Sequence, residues 1–257
     1  MEQQRVLLGF DFPIGVPSAY GAQTGFGSFR ELLAALGDGA WCRFFDVARL
    51  PAEIAITRPF YPAASTKGNS RAELVAGLGV NRFEELLRVC ERRTEHRRAA
   101  CALFWTLGGN QVGKAALTGW RKVIRPALLR GAALWPFDGS LEDLARAPGI
   151  VLAETYPAQA YRMVGASFLP GQSKRRQSDR SQKASAILAW AERHGVVLSA
   201  PAAAGLTAGF GPSANGEDQF DALLGLLKMI EVVEGRQMAQ TERHEVTASW
   251  EGWILGR

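Results

Sequence analysis

The chain has 257 residues, a length that fits one large domain or one domain carrying an insertion, at roughly 100–200 residues per domain. With 47% hydrophobic and 21% charged residues its composition is that of an ordinary globular protein. That excludes a disordered chain, and a core of this size needs neither disulfides nor a structural metal. Lys and Arg total 30 against 25 Asp and Glu, a net charge of +5 that is compatible with a polyanionic partner. Cys42, Cys90 and Cys101 are odd in number and contain no C-x-x-C pair, which argues against a disulfide framework and fits a reducing, cytoplasmic setting. The opening MEQQRVLLGFDFP has its apolar run broken by Asp11, unlike a signal peptide. The longest apolar stretch, Ala99 to Leu107, is too short to span a bilayer, so no membrane partner is expected.

In chain order, Arg5 to Phe10 is an apolar run ending at Asp11 and followed by Pro13 and Gly15, the pattern of a strand buried on both faces in a parallel sheet. A helix is expected over about 28–36, closed by Gly37, and then a mostly irregular stretch over 41–64 with Pro51, Pro59 and Pro62. Asn81 with Glu84 reads as a capping box, and Phe83, Leu87, Cys90, Thr94, Cys101 and Phe104 recur at helical spacing. This predicts a long helix to Leu107, stopped by Gly108-Gly109. A second helix is predicted over 111–130, with Pro126 bending or ending it. Together these make a mainly helical insertion at roughly 70–147 within a single domain spanning 1–257.

The strand pattern returns at Gly149 to Glu154, again an apolar run ending in a carboxylate before Pro157. A polar basic loop follows at Ser173 to Arg180, then a helix over 181–193, a short strand at 195–199 and a glycine-rich loop over 205–216. The last helix is predicted over 216–234, with Phe220, Leu223, Leu224, Leu227 and Ile230 on one face and Gly235 as its stop.

Chemistry is suggested by position. In open α/β sheets ligands bind outside the carboxyl ends of the strands, and Asp11 and Glu154 both stand at such an end. An aliphatic strand ends in a carboxylate where it meets water, a cation or a hydrogen-bond partner. Asp218 and Asp221, at i and i+3, are expected to share a helix face, with Gly225 leaving room beside Asp221. Carboxylates without a nearby histidine or thiolate suit a hard ion, Mg²⁺ or Mn²⁺. A plainer account also holds: Asp218 lies in the first helical turn, where acids are favoured by the helix dipole, and Asp11 could simply begin an Asp-x-Pro turn. Gly108 to Ala115 nearly spells a phosphate-binding loop, but Ala115 stands where that motif needs Ser or Thr. Lys174, Arg175, Arg176, Arg180 and Lys183 could track phosphates, or form a solvated surface. There is no G-x-S-x-G elbow and no metal or triad spacing among the histidines.

Several segments together resemble a known family: Gly9 to Gly15 (GFDFPIG), Arg58 to Pro62, Leu103 to Gly113, Glu154 to Pro157, Asp221-Ala-Leu and Glu251 to Gly256 (EGWILG). The family is the one called domain of unknown function 429, described as predicted RNase H-like nucleases. The resemblance runs along essentially the whole chain. It implies a ribonuclease H-like α/β fold with a divalent-metal carboxylate site, in which Asp11 and Glu154 are strand-end ligands and Asp221 the helix ligand, as in the last helix of Holliday-junction resolvases. Relatives usually begin with a further strand carrying the first metal-ligand aspartate. This chain starts at what corresponds to the fourth strand, so either further residues precede it or this version lacks that strand and ligand.

The resulting expectation is a Mg²⁺- or Mn²⁺-dependent nuclease acting on DNA or RNA. Asp11, Glu154 and Asp221 would hold the ions, Asp218 would assist, and Lys174, Arg175 and Arg180 would position the phosphate backbone. The alternatives are a non-catalytic nucleic-acid-binding or scaffolding protein on the same fold, and a small-nucleotide phosphohydrolase.

Overall fold

A computed structural model describes residues 4–64, 70–95, 99–107, 112–240 and 247–257. Strands β1 (Arg5–Phe10), β2 (Ala133–Leu134) and β3 (Gly149–Glu154) form a parallel sheet in the order β1-β3-β2. The protein is therefore of the α/β class. Branched aliphatic residues at Val6, Ile150 and Val151 favour the pleat, and the register pairs Leu7 with Val151 and Phe10 with Glu154. β3 sinks into the core from Val151 to Glu154, and Leu134 of β2 is fully buried beside it. Among the described residues β1 is an edge strand with Leu8 40% exposed, so the expectation of burial on both faces fails there. A short parallel bridge joins Glu154 to Ile254, where the Leu255 N–H donates to the Glu154 carbonyl (2.8 Å).

Two compact units are present: Met1–Glu154 with Ala239–Leu255 and Arg257, and Thr155–Met238 with Gly256. The first holds the sheet and helices α1 (Ser18–Gly21), α2 (Phe29–Ala35), α3 (Arg71–Gly77), α4 (Val112–Gly119), α5 (Arg125–Leu129) and α6 (Leu141–Leu144). Ser28 caps α2 by accepting from the Glu31 N–H (3.3 Å), and Gly37 follows with φ 92°, as the sequence predicts. A π-turn at Trp120–Ile124 links α4 to α5. Pro126 lacks an N–H and crowds the preceding turn, which accounts for the wider winding just before it. Trp120 is fully buried between Phe29 and Phe44 (ring centroids 5.1 and 6.1 Å), and its Nε1–H donates to the Pro13 carbonyl (2.8 Å).

The second unit contains α7 (Pro157–Met163), α8 (Gln177–Ser181), α9 (Ala184–Arg193), α10 (Ala200–Thr207) and α11 (Ala214–Val233). Phe220, Leu224 and Leu227 of α11 pack with Ile187 and Trp190 of α9 and Leu206 of α10.

The long helix predicted over 81–107 does not form. Only 3₁₀ turns at Phe83–Leu86 and Val89–Glu91 appear among its described residues. The cause is competition for backbone donors: the Arg88 N–H goes to the Glu91 carboxylate (3.0 Å) and the Val89 N–H to the Glu251 carboxylate, so neither closes a helical turn. Asn81 donates its N–H to Glu85 rather than forming the expected box with Glu84. The glycine pair predicted to stop that helix, and the first half of the near phosphate loop, lie outside the described residues. The 70–147 segment is not wholly helical, because β2 within it joins the sheet. Residues 195–199 form no strand; Ser199 instead caps α10 through the Ala202 N–H (3.4 Å), and α10 extends into the stretch read as a glycine-rich loop.

Replacing Trp120 with Ala should destabilise the first unit by about 3–5 kcal/mol, the usual cost of emptying such a site. Denaturant unfolding followed by far-UV circular dichroism provides the measurement. A destabilisation below about 1 kcal/mol would contradict this packing.

Candidate functional site

In the first unit, the register places Asp11 directly after the residue that pairs with Glu154, so both carboxylates occur at the carboxyl ends of neighbouring parallel strands. Their surroundings differ. Asp11 is exposed, whereas Glu154 is 4% exposed and faces Arg88, which is fully buried. Both Glu154 oxygens accept from the Arg88 guanidinium, Oε2 from Nη1 and Oε1 from Nη2, each at 2.7 Å. Oε2 also accepts from the Ile14 N–H (2.7 Å). The Arg88 Nε–H donates to Glu91 (2.8 Å), and Nη1 reaches the carbonyls of Ile14 (3.2 Å) and Glu251 (3.0 Å). The Glu251 carboxylate accepts from the N–H groups of Ser18 (3.0 Å) and Val89.

The electrostatics follow from burial. Burial pushes the Glu91 carboxyl above its ordinary value against the pull of Arg88. It also pushes the Cys90 thiol up to about 12, so this cysteine is no nucleophile at neutral pH. The arrangement saturates Glu154. A divalent ion at Glu154 would have to displace a bidentate guanidinium and would feel its positive charge. The residues around Glu154 therefore do not fit Mg²⁺ or Mn²⁺. Among the described residues, no group of three or more His, Cys, Asp or Glu side chains is placed to hold a metal ion.

In the second unit, Asp221 is 9% exposed; it accepts from the Tyr161 hydroxyl on Oδ1 and from the Lys174 ammonium on Oδ2. Lys174 also pairs with Glu217 (3.1 Å). Asp218, expected to share this face, is exposed. At 3.6 residues per turn, a residue four positions back lies closer to the same face than one three back when the partner bridges axially, and Lys174 spans Glu217 and Asp221 in that way. The space beside Gly225 is taken, because a Cβ there would stand 3.5 Å from Thr155 and Pro157.

The basic loop divides sharply. Arg180, read from sequence as a phosphate contact, is fully buried and donates to the carbonyls of Lys174, Gly209 (2.9 Å) and Gly211. This corrects the expectation: its guanidinium is committed to buried backbone acceptors, which would be costly to strip of their donor, so it cannot present charge to a ligand. Lys174 is spent on the two α11 acids. Arg175 and Arg176 remain exposed, the latter paired with Asp179 (2.7 Å).

Sequence reasoning missed Arg88, Glu251, Tyr161 and Glu217. The i, i+3 spacing of Arg88 and Glu91 and the acid opening the EGWILG segment were its available signals. No protein-family model, curated protein or solved structure matches the chain.

Burial pulls the Lys174 ammonium down, but hydrogen bonds and charge from Asp221 and Glu217 outweigh it and hold its pKa above the ordinary 10.5. A raised folded-state pKa means this stabilisation is complete below about pH 10.5 and is lost as pH rises through the folded value. Lys174→Met should therefore lower the urea midpoint of the second unit near neutrality, with the gap to wild type closing at strongly alkaline pH. A gap independent of pH would show that the substitution disturbed packing alone.

Proposed function

We propose that this chain binds nucleic acid without cutting it, on an α/β scaffold of ribonuclease H-like descent whose former ligand positions serve as internal counter-ions. The observation that carries this reading is the bidentate Arg88–Glu154 pair: one guanidinium supplies to the strand-end carboxylate the positive charge that a metal ion supplies in a nuclease. The Lys174–Asp221 pair repeats the logic in the second unit. A net charge of +5 and the exposed Arg175 and Arg176 support a polyanionic partner.

A metal-dependent nuclease remains the second reading. What favours it is Asp11, which is exposed at the end of β1, whereas Arg88 holds Glu154, so an ion would sit on Asp11 and not on Glu154.

Fluorescence anisotropy with labelled single- and double-stranded DNA and RNA, followed by gels of the same samples with Mn²⁺, Mg²⁺ or EDTA, separates the two. Binding with intact strands under every condition is the expected result. Cleavage that requires metal and disappears in Asp11→Asn would overturn it in favour of the nuclease. Thermal melts give a second check: Asp221→Asn should melt lower than wild type in EDTA, with no change in the response to millimolar Mn²⁺. If Asp221 instead held metal, the variant would melt as high or higher and its Mn²⁺ shift would shrink.

Arg175→Ala/Arg176→Ala should make the log–log salt dependence of duplex binding less negative, by up to about 0.9 for each phosphate that these arginines neutralise. An unchanged slope would assign both to solvated surface.

A further inference from the structure

The first unit contains a cavity of about 800 Å³ bordered by the start of α3, the Phe83–Leu86 turn and the 99–107 segment. Its size falls within the roughly 300–1,000 Å³ of small-ligand sites. Two aromatic rings contribute to its wall, Phe83 and Trp105, both partly exposed. Tyr61 packs edge-on against Trp105 (6.1 Å) and holds that ring in place. The Arg71 guanidinium lies 4.5 Å from the Phe83 ring centroid and 6.0 Å from that of Trp105. Arg92 and Arg93 also border the cavity and are exposed, so among the described residues lining it three are arginines and one, Glu84, is an acid.

We propose that this cavity binds a nucleoside phosphate, free or as one unit of a single strand, with the base against Trp105 and the Arg71–Phe83 stack and the phosphate on Arg92 and Arg93. The chemistry selects this class. A flat π-system stacks on an aromatic face such as Trp105 or on the guanidinium plane that Arg71 lays over Phe83, and exposed guanidinium forks suit a phosphate. A simple inorganic anion would leave the rings unused, and a neutral aromatic would leave the arginines uncompensated. Free nucleotide and polymer share the recognised unit, so experiment distinguishes them. For the polymer case the inference rests on the nucleic-acid reading above; for the free nucleotide it stands apart from it.

Cys101 supplies the readout, because it borders the cavity and is partly exposed, while Cys42 is exposed elsewhere and Cys90 is buried. The full chain is alkylated with N-ethylmaleimide, and modification of each cysteine is followed by peptide mass spectrometry. The additions compared are a nucleoside monophosphate, a short single-stranded oligonucleotide, inorganic phosphate, or none. Protection of Cys101 by a nucleotide ligand, with Cys42 unaffected and phosphate alone ineffective, is expected. Trp105→Leu should raise the half-protecting concentration at least about fivefold, the lower end for removing one base–aromatic stack, and Arg92→Ala/Arg93→Ala, which changes only exposed side chains, should raise it as well. An unchanged Cys101 rate at millimolar nucleotide and saturating oligonucleotide would overturn the proposal. If anisotropy shows the oligonucleotide bound while Cys101 stays unprotected, the cavity assignment falls and the nucleic-acid reading stands. If the mononucleotide protects but no oligonucleotide binds, the cavity assignment stands and the nucleic-acid reading falls.

Discussion

A guanidinium withdrawn from water must be surrounded by acceptors, because an unpaired buried charge costs several kcal/mol. In the first unit Arg88 meets that demand by drawing together segments far apart in sequence: the loop after β1 at Ile14, the end of β3 at Glu154, and the closing segment at Glu251. Removing Arg88 would leave the buried Glu91 and Glu154 carboxyls without their cation. The arrangement of these segments follows from this constraint, and with it the N–H groups of Arg88 and Val89 go to carboxylates rather than to a helical turn.

The same constraint explains two glycines. Gly15 has φ 131°, and a Cβ there would stand 2.2 Å from the Glu251 carbonyl. Gly252 has φ 62°, and its Cβ would stand 2.2 Å from the Ile14 carbonyl. The two backbones approach so closely that only glycine fits on either side. This approach presents the Ile14 and Glu251 carbonyls to Arg88 together. The segments GFDFPIG and EGWILG therefore act as one structural device, although they lie at opposite ends of the chain.

The second unit solves a similar problem with other partners. Arg180 closes on the carbonyls of Lys174, Gly209 and Gly211, which shapes the loop between α10 and α11. Positive charge that reads as surface in a linear sequence is thus partly interior, and the basic balance overstates what the protein can offer a polyanion.

From sequence alone, the α/β class, the strands at 5–10 and 149–154, the capped helix α2 and the last helix α11 are legible, because each is a local pattern: an apolar run, a cap, a 3.6-residue stripe. The strand-end placement of Asp11 and Glu154 is legible for the same reason. Tertiary structure alone decided what those carboxylates face. Arg88 lies 66 residues from Glu154, and Lys174 lies 47 from Asp221, so no local spacing announces either pair. It also decided that no helix would run through residues 88 and 89, since a carboxylate contributed by Glu251 takes the N–H of Val89. Helical periodicity reports which side chains seek the core. It cannot report that a distant acid will claim the backbone donor a helix needs.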